Sequence, residues 1–315
     1  MAEKKIPEVD IVVDEQAGVI REIKPQPKLR SKKAHERRTN TAVYIVLTVM
    51  SIVWLLPFVF LVLQSFRSYL TESGGMVAYL LPKQFSLDNY RWLLFDPKSN
   101  FLRWYANTLI IAIFCAVLQT AMQLSVSYAL SRLRFRGRKL IMNVVLILGL
   151  FPGFLTMITL YFLLKQLGLT QQGAIPGLIL IYVASSGMGY YISKGFFDTI
   201  PKSLDESARI DGATRLQVFL KIIMPLAKPI VIYTILTAFM GPWGDFVFAR
   251  YIAFGTSSGY NVAVGMFDWL SKDQIGQWYT TFCAGGVVVA LPVTILFMCL
   301  QRYYVEGVTG GAVKG

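Results

Sequence analysis

The sequence has few of the residues that catalytic and metal sites require. Its 315 residues include one histidine, His35, which lies in a polar segment. The three cysteines, Cys115, Cys283 and Cys299, lie inside apolar blocks, so neither a disulfide framework nor a metal-binding spacing is present. An intramembrane enzyme would need a pattern such as H-E-x-x-H, paired aspartates or a serine with a basic partner. We therefore predict a non-catalytic chain without a bound metal.

Nucleotide-binding motifs and acidic residues are also scarce. No G-x-x-x-x-G-K-[ST] phosphate loop occurs, so the chain lacks that kind of ATP site and binds no cofactor directly. Charged residues make up only 16% of the chain, and 31 Lys and Arg residues outnumber 18 Asp and Glu residues. The basic residues stand beside apolar blocks, an arrangement that orients membrane helices. Nucleic acid is therefore not an expected partner.

Hydrophobic residues account for 55% of the sequence, and they are concentrated in blocks of about 20 residues, the length that crosses a bilayer as a helix. We predict an all-α, polytopic membrane protein with six transmembrane helices. About 40 polar residues precede the first block, which excludes a cleavable signal peptide at the start. The six blocks are residues 42–64, 104–130, 140–164, 174–192, 230–248 and 278–300.

The distribution of basic residues predicts the orientation. Most Lys and Arg residues precede the first block, follow the second or follow the fourth, which places these segments and both termini in the cytoplasm. We predict a flexible basic tail over residues 1–41 that touches membrane lipid, a transmembrane domain over 42–301 and a cytoplasmic tail over 302–315. The segments 66–103 and 251–277 are then outside, the first with short surface helices and the second as a polar loop.

The longest polar interruption in the second half of the chain runs from Ser203 to Pro225. Ser203 with Glu206 matches a capping box, as does Thr214 with Gln217, and Gly212 can end the first helix in the left-handed conformation. Small residues between the caps permit close approach of another element. The stretch predicts a helical hairpin that docks, although an ordinary cytosolic hairpin is the alternative.

This stretch resembles the EAA loop of permease subunits of binding-protein-dependent ABC importers, whose pattern is E-A-A-x3-G-x9-I-x-L-P. The matching letters are Glu206-Ser207-Ala208, Gly212 and Ile222-Ile223-Met224-Pro225, within a loop over residues 194–229. Ser207 and Met224 depart from the pattern. The sequences Gly-Pro-Trp-Gly-Asp-Phe at 241–246 and Ala-Leu-Pro at 290–292, with the glycine-rich end, are similar to MalG-type carbohydrate permeases.

The resemblance implies a type I ABC importer permease fold in a prokaryotic inner membrane, with a carbohydrate such as a maltodextrin-like oligosaccharide as substrate. It implies three kinds of partner besides lipid: a second, homologous permease subunit as heterodimer, two ABC ATPase subunits that use ATP, and an extracytoplasmic sugar-binding protein. It assigns ATPase coupling to Glu206, Ser207, Ala208, Asp211, Gly212 and Ala213, and a further ATPase contact to Gly311, Ala312 and Lys314. For Glu206, a helix cap paired with Arg209 is the alternative.

Polar residues inside the apolar blocks are candidates for the transport pathway, because such groups are costly in a membrane. Gln119, Gln123 and Asp245 are the principal candidates, and interhelical hydrogen bonding is the alternative for each. Further candidates are Asn107, Ser127 and Ser185, and the aromatics Tyr182, Tyr190 and Trp243, which could stack on sugar or belong to interface belts.

A self-sufficient secondary transporter of a polar solute is the alternative function. Such a protein commonly has inverted repeats and ion-coupling acids in its spans, and Asp245 is the only acid well inside a block.

Overall fold

The computed structural model describes residues 11–14, 19–22, 30–68, 81–150, 153–270 and 275–312. The chain divides into two compact units, Met1–Val59 and Phe60–Gly315. Within the described residues the protein is almost entirely helical, which confirms the predicted fold class.

The first unit contains the only strands of the described residues. Strands β1 (Ile11–Asp14) and β2 (Val19–Glu22) pair antiparallel, and both are rich in β-branched residues. Helix α1 (Arg30–Ser65) begins in this unit and ends in the second. Within the tail predicted to be flexible over residues 1–41, the described residues therefore have regular secondary structure. Alanine, lysine, arginine and glutamate at 30–38 favour the earlier helix start.

Within the described residues, three helical stretches are long and apolar enough to cross a membrane: Thr39–Ser65, Phe101–Arg132 and Trp278–Tyr303. They correspond to the first, second and sixth apolar blocks. Two bent pairs, Thr156–Gln166 with Gln171–Ala184 at 103° and Arg215–Leu226 with Lys228–Gly244 at 85°, raise the number to as many as five. The six-span count and the cytoplasmic termini stay predictions.

In the fourth and fifth apolar blocks one helix ends and another begins where the sequence predicts a continuous helix, and in the third block a helix ends at Gly149. After α1, the helices are α2 (Asp88–Phe95), α3 (Phe101–Phe114), α4 (Thr120–Arg132), α5 (Arg138–Gly149), α6 (Gly153–Gln166), α7 (Ala174–Ala184), α8 (Gly187–Thr199), α9 (Ser203–Ile210), α10 (Arg215–Gln217), α11 (Met224–Leu226), α12 (Lys228–Gly244), α13 (Val247–Ala253), α14 (Val262–Asp268) and α15 (Ile275–Ala312). A π-helical turn, Cys115–Gln119, joins α3 to α4, and another, Val218–Ile223, joins α10 to α11.

An aromatic core organises one part of the second unit. Trp104 lies 5.6 Å from Trp269 between ring centroids, and Phe101 stacks on Trp269 at 6.3 Å. Helix α14 packs into this core, and Gly265 lies so close to the Trp104 indole that a side chain there would collide with it. The segment predicted as a polar loop at 251–277 is thus partly a buried helix, capped by Asn261, whose side chain accepts from the Val264 amide at 2.9 Å.

A buried asparagine ties α2 to the ends of two long helices. Asn89 donates to the carbonyls of Ser65 (3.1 Å) and Arg67 (2.7 Å). Its Oδ1 accepts from the hydroxyls of Thr280 (3.0 Å) and Thr281 (3.2 Å). The predicted surface helix in the segment 66–103 is therefore present, and its one fully buried polar side chain is completely satisfied.

Candidate coupling site at the polar hairpin

The polar hairpin, residues 203–226, begins with the two-turn helix α9 (Ser203–Ile210). Lys202, not Ser203, occupies the cap position, and no side-chain cap is formed, so the first predicted capping box is wrong. The helical turn already starts at Pro201, whose carbonyl accepts from the Leu204 amide at 3.4 Å. Proline is pre-organised for a first helical turn, so Ser203 lies too far inside to cap it.

The end of α9 is the left-handed turn that the sequence predicts. Gly212 has φ +85°. The Ala213 amide donates to the Ala208 carbonyl at 2.9 Å, and the Gly212 amide donates to the Arg209 carbonyl at 3.2 Å, which together form a Schellman motif. A Cβ on Gly212 would meet nothing within 4 Å. The requirement for glycine here is therefore one of backbone conformation and not of space.

The second capping box is confirmed. The Thr214 amide donates to Gln217 Oε1 at 2.8 Å, and the Gln217 amide donates to Thr214 Oγ1 at 3.3 Å. Pro225 and Pro229 occupy the first turns of α11 and α12, and the chain bends by 85° between these helices. The hairpin is consequently fixed at both ends by local backbone chemistry.

One side of the hairpin is buried against the ends of α4 and α8. The Tyr128 ring lies 4.6 Å from the Phe219 ring and 6.1 Å from the Phe197 ring, edge-on to the latter. Ala208 is buried in the same apolar cluster, together with Val218. The small residue of the motif at 208 therefore belongs to the inner face of α9.

An ion pair reinforces this attachment. Arg132 Nε lies 3.1 Å from Asp205 Oδ2, and the two side chains are 5% and 15% exposed. Arg132 Nη2 also donates to the Ile200 carbonyl at 2.7 Å. Burial raises the pKa of Asp205, and the nearby Arg132 charge only partly offsets that effect. Because Arg132 is the last residue of the candidate span Phe101–Arg132, this pair joins α9 directly to a long membrane helix.

A second polar contact joins α4 to α8 beside the hairpin. Asp198 accepts from the Ser131 hydroxyl at 2.6 Å and pairs with Lys194 on the next turn of its own helix. Burial alone would raise the pKa of Asp198, but the hydrogen bonds from Lys194 and Ser131 outweigh it and lower the pKa.

The other side of the hairpin faces outward. Glu206, Ser207, Asp211 and Gly212 are all exposed. Exposed apolar side chains accompany them: Ile210 is 87% exposed, Leu216 65% and Leu220 53%. Exposed apolar patches of this kind occur at protein and membrane interaction sites. Within the described residues Glu206 forms no ion pair with Arg209, which removes one reason for the capping alternative.

The polar residues proposed for a pathway are largely engaged in interhelical hydrogen bonds. Gln123 Nε2 donates to the Gly189 carbonyl (3.1 Å), Ser193 Oγ (2.8 Å) and Thr234 Oγ1 (3.4 Å), so this side chain joins α4 to α8 and α12. Gln119, in the π-helical turn, is only half-buried. The alternative of interhelical bonding is therefore the one that the geometry supports for Gln123.

Asp245 lies where α12 ends. Its carboxylate accepts from the Tyr182 hydroxyl and from the Phe248 amide, the latter at 3.0 Å, which fixes the break between α12 and α13. Trp243 is 6% exposed and packs edge-on against Tyr105 at 5.3 Å. These contacts give both residues a structural role in this conformation.

The remaining candidates have local partners or lie at the edge of the described residues. Asn107 donates to the carbonyls of Ser258 and Tyr260, Ser127 donates to the carbonyl of Tyr190, and Ser185 donates to a carbonyl of its own helix. Gly311 and Ala312 end helix α15, which runs without a break into the predicted tail. Lys314 lies outside the described residues.

Comparison with known proteins supplies the family. The family described as binding-protein-dependent transport system inner membrane component matches residues 122–310. The chain is 35% identical over 274 residues to the galactooligosaccharides transport system permease protein GanQ of Bacillus subtilis (strain 168), covering 86% of this chain and 94% of the relative. It is 31% identical over 308 residues to the maltose/maltodextrin transport system permease protein MalG of Escherichia coli (strain K12), covering 92% and 99%.

A solved structure shows the same fold. A chain of a bacterial ABC transporter that imports the acidic polysaccharide alginate superposes with a TM-score of 0.71 at 23% identity, over 89% of this chain and 100% of that one. The predicted ABC importer permease fold is thereby confirmed. The chain belongs to the family of binding-protein-dependent transport system inner membrane components, the permease subunits of ABC importers.

Proposed function

We propose that this chain is a transmembrane subunit of an ATP-driven oligosaccharide importer and that its polar hairpin receives the movement of separate ATPase subunits. Similar permeases serve galactooligosaccharides and maltodextrin in Bacillus subtilis (strain 168). The chain has no phosphate loop, so ATP would be bound and hydrolysed by the partner ATPase. Membership of the importer family also argues against a self-sufficient secondary transporter.

The observation that carries this proposal is the two-sided construction of the hairpin. Its inner side is fixed to α4 by the Arg132–Asp205 pair and by the cluster around Ala208. Its outer side exposes Glu206, Ser207 and the apolar Ile210. A subunit bound to the outer side can therefore move the end of a long helix without touching the membrane-embedded residues.

In this mechanism, closure of two ATPase subunits around ATP draws their two bound permeases together. The membrane helices then pass between inward-facing and outward-facing arrangements, a rigid-body transition driven by differential binding to the two states. Glu206 supplies a charged contact, Ser207 and Ala213 permit close approach, and Asp211 with Gly212 ends the helix at the interface. The terminal residues Gly311, Ala312 and Lys314 add a second contact with the ATPase.

The other partners follow from the same assignment. A second, homologous permease subunit would complete the membrane pathway, and a sugar-binding protein would deliver substrate on the outer face, near residues 251–277. A structure of the alginate transporter with this fold (TM-score 0.57) is a complex with a periplasmic protein bound to an alginate pentasaccharide.

The decisive experiment replaces an exposed side chain of the hairpin. Ile210→Glu should leave the amount of permease in the membrane unchanged, because the side chain is 87% exposed. Co-purification of the ATPase and sugar-stimulated ATP hydrolysis should fall about 30-fold or more, since losing a central interface side chain costs about 2 kcal/mol or more. Phe95→Glu is the matched control, because Phe95 is 78% exposed but lies in α2, on the predicted outer face.

Normal ATPase recruitment by Ile210→Glu would overturn the docking assignment. The energy source is tested separately in proteoliposomes that contain the complete transporter. Uptake of labelled maltodextrin or galactooligosaccharide should require ATP and should not respond to an imposed proton or sodium gradient. Uptake driven by an ion gradient without ATP would instead establish the secondary-transporter alternative.

A further inference from the structure

A basic pocket lies between the end of α4, the start of α5 and the polar hairpin. Its volume is about 430 Å³, within the range of roughly 300–1,000 Å³ that is typical of ligand sites. Among the described residues, two that line it are acidic, Asp205 and Glu206. The basic residues that line it are Arg132, Arg134, Arg138, Lys202, Arg209 and Arg215.

Basic residues outnumber acidic residues six to two in the described lining of this pocket. Among the described residues, Arg132 is the only one of the six that forms an ion pair, and its partner is Asp205. Arg132 is also incompletely satisfied: its Nη1 is buried and has no hydrogen-bond partner in the described part of the chain. An unpaired, buried guanidinium N–H is costly, so this atom favours an acceptor from outside the chain, either a water molecule or an anionic ligand.

The chemistry of the lining favours a phosphate group. Guanidinium forks match the oxygens of phosphate in two-point hydrogen bonds, and five of the six cations are arginines. A second basic pocket adjoins the first and shares Arg138 with it, adding Lys139 and Lys194. The two pockets form one basic zone that extends from the hairpin to the first turns of α5 and to the middle of α8.

The surface next to this zone is apolar and uncovered. Helix α5 continues directly from Arg138 and has no buried residue. Its side chains include Leu140, which is 67% exposed, and Leu148, which is 63% exposed. A basic pocket followed along one helix by an exposed apolar surface matches a molecule with an anionic head and hydrocarbon chains. The basic zone also lies on the predicted cytoplasmic side, where anionic lipids attract basic residues.

We propose that the pocket between α4 and the polar hairpin binds the phosphate headgroup of an anionic phospholipid, whose acyl chains lie along α5. The bound phosphate would contact Arg132 on α4 and Arg209 on α9 together. It would therefore hold the base of the hairpin against the membrane helix. This proposal does not depend on the identity of the transported sugar or on ATPase docking.

The test measures phospholipid retained by the complete transporter after purification in detergent, using native mass spectrometry with phosphatidylglycerol and phosphatidylethanolamine as probes. The double variant Arg134→Gln/Arg138→Gln removes two pocket cations, of which Arg134 is exposed. At about 1 kcal/mol for each basic residue near a lipid surface, binding of phosphatidylglycerol should fall roughly 30-fold, while phosphatidylethanolamine retention should not change. Arg136→Gln is the matched control, because Arg136 is exposed in the same loop but lines neither pocket.

Four results would overturn the proposal. Equal phosphatidylglycerol retention by the double variant and the wild type would show that the pocket does not bind lipid, and an equal loss with Arg136→Gln would show only general attraction by the loop. Displacement of phosphatidylglycerol by inorganic phosphate at millimolar concentration would assign the pocket to the free anion. Loss of a partner subunit from the double variant with lipid retention intact would assign it to an acidic protein surface.

Discussion

Replacing Arg132 by methionine keeps much of the aliphatic stem and removes the charge that joins α4 to the polar hairpin. The partner carboxylate of Asp205 is only 15% exposed and would be left without its cation. Breaking a buried ion pair on one side typically costs about 3–5 kcal/mol. The cost has a ceiling, because Asp205 can take up a proton instead. From the ordinary pKa of 3.8, neutralising it at pH 7 costs about 4 kcal/mol.

The Ile200 carbonyl also loses the hydrogen bond that Arg132 Nη2 donates, so we expect a total loss of about 3–5 kcal/mol in the free energy of unfolding. The measurement is reversible unfolding of the purified protein in mixed micelles with increasing sodium dodecyl sulfate. Adding Asp205→Leu to Arg132→Met should recover most of the loss, because apolar residues replace a buried pair at little cost.

Lys194→Met provides the control, because the Lys194–Asp198 pair is more exposed, at 18% and 40%, and should contribute less than about 1 kcal/mol. If Arg132→Met cost no more than Lys194→Met, the inference that the Arg132–Asp205 pair fixes the hairpin to α4 would be wrong.

Three further predictions use other contacts. Asp198→Asn should lower the free energy of unfolding at pH 7 by less than about 1 kcal/mol. Because the folded-state pKa of Asp198 is lowered, its contribution is present above the ordinary pKa of 3.8 and disappears as the pH falls through the lowered pKa. Unfolding measured at a series of pH values checks this. Gly265→Ala should lower the free energy of unfolding by about 1–3 kcal/mol, because the added methyl group collides with Trp104. Gly195→Ala should not lower it, because a Cβ there meets nothing within 4 Å. Gln123→Ala should lower the free energy of unfolding by about 1–3 kcal/mol, since its amide joins helices. In an uptake competition assay, the order of preference among transported oligosaccharides should not change.

Local backbone rules explain the part of the site that could be predicted from the sequence. Gly212 ends α9 in the left-handed conformation because no other residue adopts it as freely, and Thr214 with Gln217 forms its box because both partners are three residues apart. The same rules failed at Ser203, because Pro201 started the turn earlier.

The features that the sequence did not predict depend on residues far apart in the chain. Asp205 finds Arg132 only once α4 and the hairpin have packed, and α14 forms within a predicted loop because Gly265 admits the Trp104 indole. The break inside the fifth apolar block depends in part on a distant residue. Hydropathy shows that a segment is apolar but does not show where it bends. At the end of α12 the carboxylate of Asp245 fixes the break by accepting hydrogen bonds from the Tyr182 hydroxyl and the Phe248 amide.

The roles of the pathway candidates could not be predicted from the sequence. A polar side chain inside an apolar block looks the same in a sequence whether it faces a substrate or another helix. In Gln123 the amide reaches Gly189, Ser193 and Thr234, so the interhelical partners became visible only with the fold.

The central claim is that the outer side of the polar hairpin is the contact with the ATPase. A photo-reactive amino acid in place of Ile210 tests it most directly, in the assembled transporter and with the same substitution at Arg136 as reference. We predict a cross-link from position 210 to the ATPase subunit whose yield changes between ATP-bound and nucleotide-free states. Absence of that cross-link, or an equal yield from position 136, would contradict the account.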